Sequence, residues 1–430
     1  MFIYYTYNLK LSLFQAFLLS MLFILFSCSG PIKQVKQPKV KKEIQYLNEI
    51  EALQNFDFEV LNEEKLNNFE QKLYQSLKFI SQLNFFDAEK LLWSTLYELN
   101  DSSKKFLVKK ILVDLLFYNN DWKGILSLDN IQTQTLSTDN SLVLVHSYSE
   151  IENEQVNYSS DSVEIEYEKS HSGTPIIEIL INGSKRYFWF DTGANYTVIA
   201  SDIAKEINIK PIKNRTAKAL TATSLQINVL PAVIKELKIG NVEILNHPVI
   251  IAEESDLRFK LFGSNRITKV DGIIGWKAIQ KMDVTFDDRV NKATFRKPFK
   301  DSLVDRNLHW LGIPFVTLFT EDSVKLIFGL DTGSEKSSIT SNIFKKVSYD
   351  EIYSITKKIS SAGGWTFSES KNISKLNLKI DNHNIEFFDI GTIFTHQNLF
   401  VKIDGIIGSD LFRQKKVRID ILNGRLSIDN

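Results

Sequence analysis

The chain has 430 residues, enough for two to four compact units, and 43% of them are hydrophobic, which is usual for a globular protein. Its 52 Lys and Arg balance 52 Asp and Glu, and a net charge of zero argues against nucleic acid or another strongly charged partner. The single cysteine, Cys28, excludes an intramolecular disulfide.

The chain begins with a segment, residues 1–28, that has the features of an export signal. Its apolar run from Leu11 to Ser27 is too short to span a membrane comfortably and is typical of a secretory signal. The sequence Leu25-Phe26-Ser27-Cys28 resembles a bacterial lipoprotein cleavage site, which implies a lipid on Cys28. The alternative is an uncleaved signal anchor. Both interpretations predict an exported protein held at a membrane, on its periplasmic or cell-surface side.

Three further segments precede any β pattern. Residues 29–42 are rich in Lys, Gln and Pro and predict a flexible tether. In residues 43–130 apolar side chains recur at intervals of three and four, which predicts a helical region. Residues 85–128 resemble helix pairs of the tetratricopeptide type, although a plain helical bundle is equally compatible. This region would be either a docking surface for a protein partner or a spacer, and we favour the spacer. Residues 131–162 are predicted as a linker.

From residue 163 onward, short alternating runs broken by turns predict strands. The runs 176–181 and 187–190, separated by Asn182-Gly183, predict a hairpin with a primed turn. We place a first β-rich unit at residues 163–297 and a second at residues 312–430, with residues 298–311 joining them.

A repeat relates these two units. Asp191-Thr192-Gly193 follows an apolar run, and Asp331-Thr332-Gly333 follows another at an offset of 140 (331 − 191). Val270 to Gly275 matches Ile403 to Gly408 at an offset of 133 (404 − 271), and both stretches end in Ile-Ile-Gly. The chain therefore contains one unit twice, with one loop Asp in each copy.

This combination resembles the lobe signature of aspartic proteases, in both retropepsin-like and pepsin-like forms, over residues 163–430. The resemblance implies a multidomain α and β protein: a helical region, then two acid-protease lobes related by pseudo-twofold symmetry. It implies that Asp191 and Asp331 form the catalytic pair, with Thr192 and Thr332 hydrogen-bonded across the junction. Gly193 and Gly333 would let the two loops approach each other. The alternative is a pair of structural Asp-Gly turns.

Two carboxylates suit peptide hydrolysis because the reaction needs a base to activate water and an acid to protonate the substrate. At roughly 3 Å two carboxylates cannot both ionise, so the pair shares one proton. The fourth loop position is Ala194 in one copy and Ser334 in the other. The resemblance implies a Ser334 hydroxyl donated to Asp331 alone, which predicts an asymmetric pair with Asp331 charged.

No cofactor is predicted. The six His are scattered without ligand spacing, so no metal site is expected. Asp271 and Asp404, which precede the two Ile-Ile-Gly motifs, are interpreted as strand-end carboxylates.

A protease of this class also needs a lid over its cleft. The candidates are Thr221, Ala222 and Thr223 in the first unit and Gly363, Gly364 and Trp365 in the second, about 30 residues after each Asp in the printed sequence. Ordinary surface turns are the alternative for both.

The sequence thus predicts a membrane-tethered aspartic endopeptidase that acts on polypeptides by strand addition. Two other functions stay open: a catalytically weak or inactive peptide-binding lipoprotein with the same cleft, and a helical scaffold lipoprotein.

Overall fold

The structure is a computed structural model, and it describes residues 32–34, 46–129, 139–212, 215–221, 225–260, 267–301, 305–347, 349, 352–361, 364–381, 383–393 and 399–429. Cys28, the whole predicted signal segment and all of the predicted tether except residues 32–34 lie outside these ranges. Within them, no helix is long and apolar enough to cross a membrane.

Helices dominate the first part of the described chain, as the apolar spacing predicts. Asn67 and Glu70 form a reciprocal capping box at the start of the second helix. Another helix starts after Asp101, whose carboxylate caps it by accepting the Lys104 N–H at 2.9 Å. The elements are β1 (Ile32–Gln34), α1 (Glu49–Gln54), α2 (Asn68–Ser81), α3 (Phe85–Glu98), α4 (Ser102–Tyr118), α5 (Trp122–Asp129) and α6 (Asp139–Tyr148).

The helices pack against both β units, and their buried side chains form one continuous core with them. The Tyr118 ring lies 4.9 Å from the Trp310 ring of the second unit. The Tyr148 hydroxyl donates to the Val249 carbonyl of the first unit at 2.7 Å. A spacer would not share its core with the units it separates, so our preference for a spacer is wrong.

Six strands of the first unit close into a ring. They pair in the order β10-β7-β13-β6-β5-β9, and β9 returns to pair with β10. Asn182 and Gly183 have φ of 49° and 80° and make the primed turn of the predicted hairpin between β5 and β6. The elements are β2 (Gln155–Tyr158), β3 (Ser162–Glu166), β4 (Glu168–Lys169), β5 (Pro175–Ile181), β6 (Ser184–Phe190), β7 (Thr197–Ala200), α7 (Ser201–Glu206), β8 (Ala217–Leu220), β9 (Gln226–Ile239), β10 (Val242–Ala252), β11 (Arg258–Lys260), β12 (Ile267–Lys269), β13 (Gly272–Ile274), α8 (Trp276–Ile279), β14 (Asp283–Asp287) and β15 (Lys292–Arg296).

The second unit repeats this pairing order. Its strands run β21-β17-β18-β23-β19, β22 pairs with β21, and a bridge between Ile339 and Thr392 brings the end of β22 to β19. The outer strand β20 pairs with β21, and β1 pairs with β20. The elements are β16 (Leu308–Leu311), β17 (Ile313–Thr320), β18 (Lys325–Leu330), β19 (Ser338–Ile339), α9 (Ile343–Lys346), β20 (Ile352–Ser361), β21 (Gly364–Ile380), β22 (His383–Gly391), β23 (Gly405–Ile407), β24 (Lys416–Asp420) and β25 (Arg425–Asp429).

A five-stranded sheet, in the order β25-β24-β14-β15-β3, joins the two units. In this sheet, strand β14 of the first unit's C-terminal hairpin pairs with strand β24 of the second unit's C-terminal hairpin, and Val284 lies opposite Ile419. The predicted linkers are partly regular structure. Residues 131–162 carry α6 and β2, and residues 298–311 carry β16. The pairing partner of β2 is the distant strand β10, so no pattern near β2 in the sequence marks it as a strand, whereas β16 forms a tight hairpin with the adjacent β17.

Candidate active site

Both Asp-Thr-Gly loops begin where a buried strand ends. Asp191 follows β6, and Asp331 follows β18. The Gly-Ile-Ile strands β13 and β23 lie parallel to β6 and β18. The Asp191 N–H donates to the Ile274 carbonyl at 3.0 Å, and the Asp331 N–H donates to the Ile407 carbonyl at 2.9 Å. Each Ile-Ile-Gly motif therefore packs behind one Asp loop.

Two buried threonines join the loops across the junction. The Thr192 N–H donates to the Thr332 hydroxyl at 3.0 Å, and the Thr332 N–H donates to the Thr192 hydroxyl at 3.0 Å. The Thr192 hydroxyl donates to the Leu330 carbonyl at 2.8 Å, and the Thr332 hydroxyl donates to the Phe190 carbonyl at 2.6 Å. The loops of one chain are thus hydrogen-bonded to each other.

Each loop glycine lies against the opposite carboxylate. A methyl carbon on Gly193 would lie 2.5 Å from Cγ of Asp331, and one on Gly333 would lie 2.5 Å from Cγ of Asp191. Real contacts of this kind do not occur, so only glycine fits at either position. Both carboxylates therefore meet at one junction.

The two Ile-Ile-Gly glycines are also fixed by close approach. A methyl carbon on Gly275 would lie 2.2 Å from the Tyr196 carbonyl oxygen, and one on Gly408 would lie 2.8 Å from the Ser334 carbonyl oxygen. The residue after each of these glycines also binds the loop. The Ala194 carbonyl accepts the Trp276 N–H at 2.6 Å, and the Ser334 carbonyl accepts the Ser409 N–H at 2.8 Å.

The two carboxylates do not titrate alike. Burial, the negative charge of Asp331 and a hydrogen bond with Asp331 raise the pKa of Asp191 well above its ordinary value of 3.8. Burial also raises the pKa of Asp331, but the hydrogen bond from Asp191 and the N–H groups of Ser334 and Gly333 lower it. The N–H groups of Gly193 and Gly333 lower the pKa of Asp191 as well, but its rise is the larger of the two, which favours Asp191 as the site of the shared proton.

The predicted cause of this asymmetry is wrong. The Ser334 hydroxyl donates to the Lys336 carbonyl at 3.0 Å, whereas the backbone N–H of Ser334 donates to the Asp331 carboxylate at 3.1 Å. A backbone N–H can donate to the carboxylate whatever side chain the residue carries. The Ala194 and Ser334 side chains therefore do not decide which Asp is charged.

We expect Ala194→Ser to leave the pH dependence of the reaction nearly unchanged. By analogy with Ser334, the new hydroxyl would turn to the Tyr196 carbonyl and away from Asp191. The alkaline limb of kcat/KM should move by much less than the roughly one pH unit that a hydrogen bond of about 1 kcal/mol would cause. Profiles of both proteins on one peptide test this, and a fall of about one unit in the alkaline limb would contradict it.

The two lid candidates lie at the ends of long hairpins. Thr221 closes the β8–β9 hairpin by donating its N–H and hydroxyl to the Leu225 carbonyl at 2.9 and 3.0 Å. Gly364 begins β21, and a methyl carbon on it would lie 3.2 Å from the Leu225 side chain. The two hairpins therefore approach each other. Ala222, Thr223, Gly363 and the side chain of Trp365 lie outside the described residues.

Asp271 and Asp404 behave as strand-end carboxylates. Asp271 accepts the Tyr187 N–H of β6 at 3.2 Å, and Asp404 accepts the Ile327 N–H of β18 at 2.9 Å. Asp404 is also paired with Lys346 at 2.8 Å. Among the residues that the structure describes, no group of three or more His, Cys, Asp or Glu is arranged to hold a metal ion.

A buried polar chain lies beside the first loop and has no signature in the sequence. Thr197 matches Ser337 at the same offset of 140 (337 − 197), but nothing in the repeat points to the partners of Thr197. His247 lies 50 residues away from Thr197, and Glu154 lies 93 residues away from His247. No local pattern marks either of them, because only the fold brings them together.

Known proteins resemble part of the chain. Residues 177–278 match the family model described as aspartyl protease. The chain is also similar to the crystal structure of a retropepsin-like aspartic protease from Rickettsia conorii, with 16% identity and a TM-score of 0.24 over 34% of this chain and 97% of that chain. No curated protein matches it. The family match contains Asp191-Thr192-Gly193 and Ile273-Ile274-Gly275 and supports an aspartic protease, a hydrolase of peptide bonds. The second Asp-Thr-Gly loop lies beyond the matched stretch.

Proposed function

We propose that this protein is an aspartic endopeptidase in which Asp191 and Asp331 of one chain activate water between two protease lobes. The observation that carries the proposal is the reciprocal fit of the loops. Each carboxylate lies against the glycine of the other loop, and the two threonines hold both loops in register. Two structural Asp-Gly turns would not need that fit.

The pKa order assigns the roles. Asp331, the charged partner, would take a proton from the attacking water, while Asp191 would give its proton to the substrate carbonyl oxygen. The resulting tetrahedral intermediate has two hydroxyls on the former carbonyl carbon. Asp331 would then return its proton to the leaving amine nitrogen, and Asp191 would regain one as the new carboxylic acid forms. The pair ends in its starting state.

The substrate would be an extended polypeptide. The β8–β9 and β20–β21 hairpins, which approach each other at Leu225 and Gly364, are the proposed lid. Their backbone would pair with a substrate strand, and side-chain pockets would select the sequence. Closure would also exclude water from the carboxylates.

Turnover of a peptide library across pH 3 to 8, with products located by mass spectrometry, tests the proposal. We expect cleavage at internal bonds and a bell-shaped pH dependence, because one carboxylate must be charged and the other neutral. Peptide binding without cleavage would favour the binding lipoprotein instead. Neither binding nor cleavage would favour the scaffold.

We also propose that the exported protein is held at a membrane through a lipid on Cys28, on the basis of Leu25 to Cys28. Cys28→Ala should abolish incorporation of labelled fatty acid and leave unprocessed or released protein. Ser29→Ala is the matched control and should be labelled normally. A wild-type protein that carries no lipid would leave the signal anchor as the better interpretation.

A further inference from the structure

Behind each candidate catalytic loop, a buried hydroxyl holds the glycine of the Ile-Ile-Gly motif. Thr197 accepts the Gly275 N–H at 3.4 Å, and Ser337 accepts the Gly408 N–H at 3.0 Å. These hydroxyls occupy equivalent positions, six residues after each Asp in the sequence. Each fixes its loop against the strand behind it.

The two hydroxyls have different partners. In the second unit, Ser337 donates its hydroxyl to the Asp410 carboxylate at 2.6 Å, and its N–H donates to the same group at 2.9 Å. Asp410 lies two residues after Gly408, so the second unit supplies this support from its own motif.

The first unit lacks that carboxylate, because Lys277 occupies the equivalent position. Lys277 is fully buried and turned away, with its ammonium donating to the Phe117 carbonyl and lying 4.1 Å from the Phe117 ring centre. Phe117 is in α4, so this side chain attaches the first unit to the helices. It cannot accept a hydrogen bond from Thr197.

His247 and Glu154 take the place of the missing carboxylate. Thr197 Oγ1 lies 3.0 Å from His247 Nε2, and His247 Nδ1 lies 2.6 Å from Glu154. One assignment satisfies every group: Gly275 N–H donates to the Thr197 hydroxyl, the hydroxyl donates to Nε2, and Nδ1–H donates to Glu154. His247 therefore links the Glu154 carboxylate to the Thr197 hydroxyl through hydrogen bonds.

Glu154 comes from outside the six-strand ring. It lies between α6 and β2 and also accepts the Asn120 amide at 3.0 Å and the Lys281 ammonium at 3.1 Å. Burial opposes its charge, but the hydrogen bond from His247 and the positive charge and hydrogen bond of Lys281 lower the pKa of Glu154 below its ordinary value. The hydrogen-bonded chain therefore ends at a carboxylate that stays negatively charged. Asn120 connects this carboxylate to the turn after α4.

We propose that Glu154 and His247 are positioning residues that hold the Asp191 loop through Thr197 and Gly275, so that the helical region takes part in shaping the active site. The inference rests on the proposed peptidase function for its kinetic consequences, although the support of the loop is independent of that function. The Asp331 loop needs no such help because Asp410 supports it.

The test compares variants that break the chain with variants that keep it. His247→Leu and Thr197→Val remove a link, whereas Thr197→Ser keeps the hydroxyl that the second unit uses. Matched controls are His309→Leu in β16 and Thr95→Val in α3, which remove a buried imidazole and a buried hydroxyl that do not belong to the Glu154–His247–Thr197 chain. They separate support of the loop from general loss of stability.

Amide hydrogen exchange is the first readout, and it needs no activity. Peptides covering residues 191–200 and 270–280 should exchange faster in His247→Leu and Thr197→Val, with residues 331–340 unchanged. Thr197→Ser should restore protection, and both control variants should leave these peptides protected. Unchanged exchange at residues 191–200 in His247→Leu would overturn the inference, even if the protein proves to be no peptidase.

Kinetics are the second readout. Because a misplacement of about 1 Å can cost about 100-fold in rate, kcat should fall about 10-fold to 100-fold with KM changed about 2-fold or less. The double variant His247→Leu/Thr197→Val should be no worse than the worse single variant, since both break one chain. A kcat in an active enzyme that falls no further than in His309→Leu would also overturn the inference. Absence of activity in the wild-type protein would instead refute the proposed function alone.

Discussion

Replacing either Asp191 or Asp331 with Asn should remove nearly all peptide hydrolysis. Each carboxylate lies at the glycine of the opposite loop, and the proposed mechanism uses the two as one acid–base unit. Loss of a general acid or base typically costs about 10²–10⁴-fold in rate, and here either substitution removes both functions of the pair. The double variant should therefore be no slower than either single variant.

The measurement is kcat/KM for the three variants on one internally cleaved peptide. Asp271→Asn is the matched control, since that carboxylate accepts a strand N–H and lies outside the junction. It should affect stability more than rate. Losses that multiply in the double variant would show two independent sites and would contradict a shared pair.

The substitution Asp191→Asn should also stabilise the fold at neutral pH. A carboxyl whose pKa is raised on folding releases its proton more easily in the unfolded chain, so stability falls as pH rises above the ordinary value of 3.8. The folded pair keeps its proton over that range. Asp191→Asn removes this penalty, so Tm should rise at pH 7 and should be nearly unchanged at pH 3. A lower Tm at pH 7 would contradict the raised pKa of Asp191.

The second large effect is expected at the threonines. Thr332→Val would leave the buried Thr192 N–H and the Phe190 carbonyl without partners. Each orphaned group costs about 1–3 kcal/mol, so the free energy of unfolding should fall by about 2–6 kcal/mol. Activity should fall as well, because the two loops would no longer hold the carboxylates in a fixed relative position.

Denaturant unfolding and kcat/KM of Thr192→Val, Thr332→Val and the double variant measure this effect. The losses in unfolding free energy should not add, since one interlocked set of bonds is broken each time. Thr332→Ser keeps the hydroxyl and is the matched control, with near-normal stability expected. Full stability in both valine variants would mean that these bonds do not hold the junction.

The duplicated Asp-Thr-Gly and Ile-Ile-Gly motifs determined most of the site in advance. An apolar strand ending in Asp-Thr-Gly is a local pattern. Its second copy supplies the second carboxylate that a shared proton needs. The Asn182-Gly183 turn was equally readable, because positive φ at two residues has a strong sequence signature. These features depend on neighbours in the sequence.

Other features of the protein depend on contacts between residues that are distant in the sequence, and only the tertiary structure decides them. The helices join the β units because Trp310 and Lys277 are buried against α4, which apolar spacing alone does not reveal. The Glu154–His247–Thr197 chain spans distant segments for the same reason. Hydrogen bonds and burial are satisfied in space, so partners far apart in the chain leave no local pattern to read.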